Sequence, residues 1–386
     1  MVLKRLPLTL SISTDGSNQQ IPILHARLYL IPIRPKPFQD EILSSWLIRS
    51  ALLNGSDPEG WGGGIWPDYR VWTRDVDRYL PKDKTLSLCK AVSMTYDEIN
   101  QMTLEPLIER ITKKEHLNSK TAWTWVIPTG TRNRSRINGL HFCPDCLGTS
   151  PVYFKKQWRL SWNVACARHG ILLQLHCPNC YTVFSPHLID YRNTDVTSCK
   201  KCGLDLKKIE RTQADRQAIS LQEQLNHATT TGIIDLLVFP VLDKTIDELF
   251  ATVRVFLHMF YKMNHCQAIQ KVVIALIGNV PEYKIQHPTG SLEMIDVESR
   301  HVLMSIVAKL FKHDLAEIIA ILLDCKVTRQ MFFDTNYENS PTIKYIFESL
   351  ADNARSRLHV RHGNNKIEPK SKEHVEEMMN EIRKYL

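Results

Sequence analysis

The sequence predicts a mainly α-helical protein in three parts: an N-terminal helix-turn-helix domain, a compact cysteine-rich module and a C-terminal helical domain that carries a second helix-turn-helix. Two observations predict it. Between His141 and Leu206 the order is Cys143-x2-Cys146, Cys166-x2-His169, Cys177-x2-Cys180 and Cys199-x2-Cys202, which puts seven of ten cysteines and one histidine into four pairs with the same gap. On both sides of this stretch apolar residues recur at helical spacing. The expected boundaries are 1–30 for an N-terminal arm, 31–137 for the first domain, 138–208 for the module and 209–386 for the last domain.

Pairs with a two-residue gap, separated by nineteen and eighteen residues within each half of the module, have the spacing of structural zinc sites. A turn of that length lets two side chains converge on one ion, and a second turn completes the tetrahedron. Sequential pairing gives one site of Cys143, Cys146, Cys166 and His169 and another of Cys177, Cys180, Cys199 and Cys202, two zinc ribbons each holding one structural Zn2+. A cross-brace joining the first pair to the third is the alternative, and His141 and His176 adjoin the pairs as substitute ligands. Both sites are closed, so neither ion is expected to activate water. Disulfides need an oxidising compartment, and Met1 to Leu10 carries no secretory apolar run. Cys89, Cys266 and Cys325 fall in helical stretches and are expected in the core.

The formal charge of +8 favours anionic partners. Seven metal-bound thiolates and two zinc ions change that balance by about −3, so the placement of the basic residues matters more than their sum. No apolar run reaches the roughly eighteen residues that cross a membrane, and a cytoplasmic protein is expected.

Along the chain, Ser11 to Gln20 is polar and Ile21 to Ile33 suits a short strand or extended arm. Asp40 is expected to cap a helix bearing Ile42, Leu43, Trp46, Leu47 and Leu53, ended by Asn54-Gly55. Gly60 to Gly64 reads as a flexible cluster without the lysine and hydroxyl of a phosphate loop. Trp66, Tyr69, Trp72 and Tyr79 alternate with Arg70, Arg74 and Arg78, a pattern that either stacks on nucleic acid or fills a core. Leu86 to Ala91, a turn at Ser93 to Thr95 and Tyr96 to Met102 have the profile of a helix-turn-helix.

Basic residues concentrate at Arg132, Arg134 and Arg136, then at Lys155, Lys156, Arg159 and Arg168 beside Trp158 and Trp162, making these the candidate nucleic-acid contacts. Further on, Ala214–Thr229, Ile246–Tyr261 and Val297–Lys312 are amphipathic. Asp314 to Lys326 followed by a helix over Val327 to Phe333 resembles a second helix-turn-helix, with Thr328, Arg329 and Gln330 on the leading turn that meets bases; a plain helical hairpin is the alternative. Arg355, Arg357, Arg361 and His362 precede a charged helix at Lys372–Leu386. Asp75, Asp77, Glu98, Asp314 and Glu317 show no spacing that defines a two-metal catalytic cluster, so no enzymatic activity is expected.

The string Ile33-Arg34-Pro35-Lys36-Pro37, followed by Glu41 and by Leu43-Ser44-Ser45-Trp46-Leu47-Ile48-Arg49, resembles the opening signature of the TniQ/TnsD family of transposition target-selection proteins. Trp72-Thr73-Arg74-Asp75-Val76-Asp77-Arg78, Phe142-Cys143-Pro144-Asp145-Cys146 and Cys166-Ala167-Arg168-His169-Gly170 agree with it. The resemblance covers about residues 30 to 206. It implies a bacterial, nucleoid-associated adaptor that marks the insertion site of a Tn7-like transposon and hands it to an AAA+ transposition regulator. It also implies one of two routes to target DNA. A TniQ form rides, usually as a homodimer, on a Cascade-type CRISPR effector whose guide RNA selects the site; a TnsD-like form reads an attachment site directly. The compact C-terminal region favours the Cascade-linked form.

Overall fold

The computed structural model describes residues 31–113, 122–129, 138–190, 193–234, 240–281, 291–331 and 340–351. The N-terminal arm, Arg132, Arg134 and Arg136, and the C-terminal run with its charged helix lie outside the described residues. Within them the protein is mainly helical, with a two-stranded antiparallel sheet in the cysteine-rich module.

The first helix, α1 (Leu43–Leu53), buries Leu43, Trp46, Leu47, Ile48 and Ala51 and stops at Gly55, whose φ of 69° suits a residue without a Cβ. Its start departs from expectation. Asp40 does not cap it; the capping position is Ile42, which offers no side-chain acceptor. The acceptor comes from 33 residues away, where the buried Asp77 carboxylate receives the Ser44 N–H at 2.7 Å and the Ser44 hydroxyl at 2.9 Å. Asp77 thus supplies the negative charge that a helix N-terminus favours.

Gly60 to Gly64 is also not a loop. It lies in α2 (Pro58–Ile65), because Asp57 accepts the Gly60 N–H at 2.7 Å and Pro58 occupies the first turn. Gly62 suits the close packing there, since a Cβ would meet Val71 Cγ1 at 3.0 Å, tighter than an ordinary contact. Trp66 and Trp72 are buried, with their indole N–H groups donated to the Lys84 and Pro58 carbonyls, so these rings belong to the core. The next pair, α3 (Lys82–Val92) and α4 (Tyr96–Asn100), is joined by Ser93 in a left-handed conformation and by a Thr95/Glu98 capping box. The connectivity matches the expected helix, turn and helix, but α4 has five residues and Met102 lies beyond it, buried. A fifth helix, α5 (Glu105–Thr112), completes this part.

In the module, α6 (Pro144–Leu147) spans the first cysteine pair, and β1 (Ala165–Cys166) pairs with β2 (Ile171–Leu172) in the register Ala165↔Leu172 and Cys166↔Ile171. The residues between the ligand pairs, 148–164, leave the module and run as a belt against the N-terminal part. Ile42 N–H donates to the Phe154 carbonyl and Lys156 N–H to the Asp40 carbonyl. On the other edge Ile127 N–H donates to Arg159 O and Ser161 N–H to Trp125 O.

The C-terminal helices are α7 (Arg216–Thr231), α8 (Ile246–Tyr261), α9 (Gln267–Ile277), α10 (Val297–Leu310), α11 (Leu315–Asp324) and α12 (Pro341–Ser349). The apolar stripe over 246–261 is buried as its spacing predicts. In this region α10 packs on α7, α8 and α9, while α8 also meets α5. Trp125, Trp162 and Phe250 meet edge to face at 4.9–5.6 Å, one ring from each part of the chain. The buried apolar residues of all three parts form one connected cluster.

The second helix-turn-helix does not form as expected. After α11 the chain enters a single 3-10 turn, Arg329–Met331, with Val327 buried and Thr328 bridged in parallel to Ala351. Residues 332 and 333 lie outside the described residues. The physical reason is Arg329, which donates to the carbonyls of Phe347 at 2.8 Å and Glu348 at 3.1 Å and so caps the C-terminal end of α12.

One acid-sensitive contact joins α7 to α10: the Asp215 N–H donates to Nε2 of His301 at 2.8 Å, and burial holds the His301 pKa below its ordinary 6.5. The unfolded chain then takes up a proton first as pH falls through about 6.5, so this stabilisation is complete above that pH and declines below it. Replacing His301 by Gln is expected to shrink the fall in unfolding midpoint between pH 7 and pH 5, measured by circular dichroism.

Candidate metal centres and their buried supports

The four pairs assemble sequentially. The ligand atoms of Cys143, Cys146, Cys166 and His169 lie within 4.8 Å of one another, as do those of Cys177, Cys180, Cys199 and Cys202, which rules out the cross-brace. In the first centre His169 Nδ1 sits 3.3, 3.4 and 3.5 Å from the three sulfurs, and Cys146 and Cys166 are 3.6 Å apart. In the second, Cys177–Cys202 and Cys180–Cys199 are separated by 3.6 and 3.5 Å. A tetrahedral zinc with Zn–S of about 2.3 Å and Zn–N of about 2.0–2.1 Å has edges of roughly 3.8 Å between sulfurs and 3.6 Å between sulfur and nitrogen. Both donor sets therefore fit a metal ion to within a few tenths of an ångström. His141 and His176 belong to neither cluster.

Local backbone geometry explains the convergence. Cys166 O accepts the N–H of both His169 and Gly170, and Gly170 has a φ of 68°. The two halves of the second centre repeat the same knuckle: Cys177 O accepts Tyr181 N–H and Cys199 O accepts Gly203 N–H. Gly203 takes its φ of 72° freely, whereas Tyr181 adopts 54° with a side chain that is 81% exposed.

The two centres differ in exposure. Cys143, Cys146 and Cys166 are buried and belong to the shared core, while in the second centre Cys202 is exposed and Cys180 half-buried. Asp145, between the first two ligands, is tied to the segment that follows the second centre: its Oδ1 accepts Arg211 Nη2 at 2.8 Å and Nε at 3.1 Å.

The first centre rests on buried polar side chains that the sequence pattern did not single out as a unit. Arg159, proposed above as a nucleic-acid contact, has no exposed surface. Its guanidinium donates to Asp75 Oδ2 at 2.8 Å, Asp75 Oδ1 at 3.0 Å, Asp77 Oδ2 at 3.0 Å and the Ile127 carbonyl at 2.8 Å. Burial lowers the Arg159 pKa, but the two carboxylates outweigh it and leave it raised. Next to this pair, Glu41 is buried and accepts Arg49 at 2.6 Å and the Ser45 hydroxyl at 2.9 Å; Ser45 Oγ in turn accepts Phe154 N–H. On the other side of the module Arg300 is buried, donating to the carbonyls of Ser161 and Ile295 and to Nε2 of His141. Burial brings the Arg300 pKa down to about 10. Burial, then Arg300, keeps His141 well below its ordinary value, and its Nδ1 faces the carbonyls of Gly139 and Trp158.

The other candidate contacts are placed as follows. Lys155 is half-buried and paired with Asp40 at 2.7 Å, and Lys156 donates to the Gln101 carbonyl at 2.7 Å. Arg329 caps α12, Gln330 is exposed, and Arg168 is exposed beside the first centre. Trp158 and Trp162 are buried and pack in the core. The carboxylates weighed for catalysis are occupied structurally: Asp75 and Asp77 by Arg159, Glu98, Asp314 and Glu317 in capping boxes.

The fold and its centres define a helical scaffold with two four-donor clusters positioned to bind metal ions. Residues 32–173 match the TniQ family, and the chain carries a TniQ domain over that stretch. TniQ proteins are non-catalytic adaptors of transposition, and the domain implies a role in target selection for Tn7-like elements. No curated protein matches the chain. Among the described residues no helix is long and apolar enough to cross a membrane.

Two outcomes follow from these centres. Asp77→Ala leaves Arg159 short of a buried charge partner and the start of α1 without its acceptor, so a loss of about 3–5 kcal/mol in a urea titration is expected. Chelator titration of the metal-loaded protein is expected to release one equivalent early, from the exposed four-cysteine centre, and the second only with unfolding. Cys202→Ser should abolish the early phase alone.

Proposed function

We propose that the chain is a target-selection adaptor that links an RNA-guided, Cascade-type complex to an AAA+ transposition regulator, holding two structural zinc ions. The observation that carries this reading is the internal use of the side chains best placed by sequence to read or grip DNA. Arg159 lies in a buried ion pair, Arg329 caps α12, and Lys155 and Lys156 are tied to Asp40 and Gln101. Among the described residues, these four cations serve the fold, which leaves them poorly placed for base readout, since readout rests on side chains free to reach base edges. The protein is better suited to presenting a fixed surface to protein partners while guide RNA supplies sequence choice. In this reading the protein acts in the bacterial cytoplasm as a homodimer, and its remaining basic residues touch guide RNA or target DNA backbone.

The test is a binding titration of the purified metal-loaded protein on random and attachment-site duplexes, at fixed salt, with and without a Cascade complex. Weak binding without sequence preference, together with stable association with the effector, is expected. Tight attachment-site binding by the protein alone would establish the direct-reading, TnsD-like form instead.

A further inference from the structure

A cleft of about 640 Å³ opens where the three parts of the chain meet, walled by the turn before α1, by α5, by the belt and by the C-terminal end of α7. Its size lies within the roughly 300–1,000 Å³ of small-molecule sites, which favour such junctions. Two cations line it, Lys156 and Arg110, and neither makes an ion pair within the described residues. Lys156 instead donates to the Gln101 carbonyl and Arg110 to the Thr229 carbonyl, each at 2.7 Å. The carboxylate on the same wall, Asp40, is paired with Lys155. A lysine ammonium has three N–H donors and a guanidinium five, so both cations keep donors to spare. Burial lowers the Lys156 pKa from its ordinary value, opposed in part by Asp40. A cation drawn out of water without an opposite charge beside it gains most from an anion that enters next to it. That arrangement favours an anionic occupant.

The rest of the wall says what kind of anion. The side-chain amides of Gln39, Gln101 and Gln157 share it, and none of the three has a hydrogen bond within the described residues. Each amide offers both a donor and an acceptor, the pair of functions that the edge of a nucleobase presents. Pro106, Leu107 and Tyr153 add apolar surface against which a flat ring can lie. An inorganic phosphate would leave the amides and most of the volume unused. A phosphate that carries a nucleoside uses the cations, the amides and the apolar surface together.

We propose that this cleft binds a nucleotide, with the phosphate at Lys156 and Arg110, the base against Leu107 and Tyr153, and the base edge on the glutamine amides. The occupant is a single nucleotide unit, which arrives either free in solution or as an unpaired residue of an RNA strand. The tie between Lys156 and Gln101 keeps this lysine from reaching into a duplex groove, but not from meeting an anion inside the cleft. The site stands on its own chemistry and does not depend on the transposition reading.

Isothermal titration calorimetry on the full-length, metal-loaded chain tests it, with the ribonucleoside monophosphates, inorganic phosphate, a polyglutamate peptide and a short single-stranded RNA as separate probes. Lys156→Met removes one of the two cations. Gln157→Glu puts a negative charge on the wall at a side chain that holds no hydrogen bond, so it tests the site even where Lys156→Met fails to fold; circular dichroism checks both. Saturable binding of a monophosphate, one per chain, is expected to weaken about tenfold or more in either variant, the scale of a lost charge-assisted hydrogen bond. Monophosphate binding makes the free nucleotide a sufficient source, while RNA binding alone, with the same sensitivity, makes the strand the source. Absence of binding by both probes, or binding that both variants leave unchanged, would overturn the proposal. So would inorganic phosphate or polyglutamate binding as tightly as the nucleotides, which reduces the cleft to an anion site or assigns it to an acidic peptide. None of these outcomes bears on the adaptor reading, since no transposition partner is present.

Discussion

The buried contact between Arg159, Asp77 and Ser44 is the constraint on which the rest of the fold depends. It ties three stretches far apart in sequence: the start of α1, the segment after the 3-10 turn at Val71–Thr73, and the belt between the ligands of the first metal centre. Two charges removed from water must be closely paired to be tolerated, and here the pair also satisfies a helix end that has no cap of its own. Glu41, Ser45 and Arg49 add a second polar knot beside it. The string that resembles the family's opening signature is therefore the material of a joint. Glu41, Ser44 and Ser45 are buried and Leu43, Trp46, Leu47 and Ile48 fill the core around them, while Arg34 and Lys36 stay exposed.

This joint changes how the three parts relate. Drawn along the sequence, the ligand pairs look like the edges of a separate module. In space, residues 148–164 leave the module, lie along Asp40–Ile42 on one edge and Trp125–Ile127 on the other, and return to supply Cys166 and His169. Trp125 and Glu293 lock the third part onto the same place, the Trp125 N–H donating to Glu293 at 2.7 Å while Arg254 pairs with that carboxylate. Burial raises the Glu293 pKa and Arg254 more than offsets it, so the group stays charged.

The metal centres were the most legible feature of the sequence, because ligand chemistry imposes a spacing that survives without knowledge of the fold. The amphipathic helices after residue 214 were legible for a related reason: burial of one face leaves a period in the sequence. What could not be read was side-chain partnership across distance. Asp77 as the acceptor for α1, Arg159 as a buried cation and Arg329 as the cap of α12 depend on contacts with residues 18 to 84 positions away, and local pattern carries no trace of them. The same limit explains the glycine cluster. Gly60 to Gly64 has poor helix propensity, and Asp57, Pro58 and packing against Val71 override it.

The belt gives the first metal centre a reach beyond its own ligands. An ion held by that cluster would close a loop whose interior residues lie against the start of α1, so its release would free one edge of the N-terminal core along with the cysteines. The second centre closes on a more exposed knuckle and has no comparable hold on the helices. With metal at both clusters, depletion would act in grades: an early loss confined to the outer knuckle, and a later one in which the ion, the TniQ domain and the surfaces it presents disappear together.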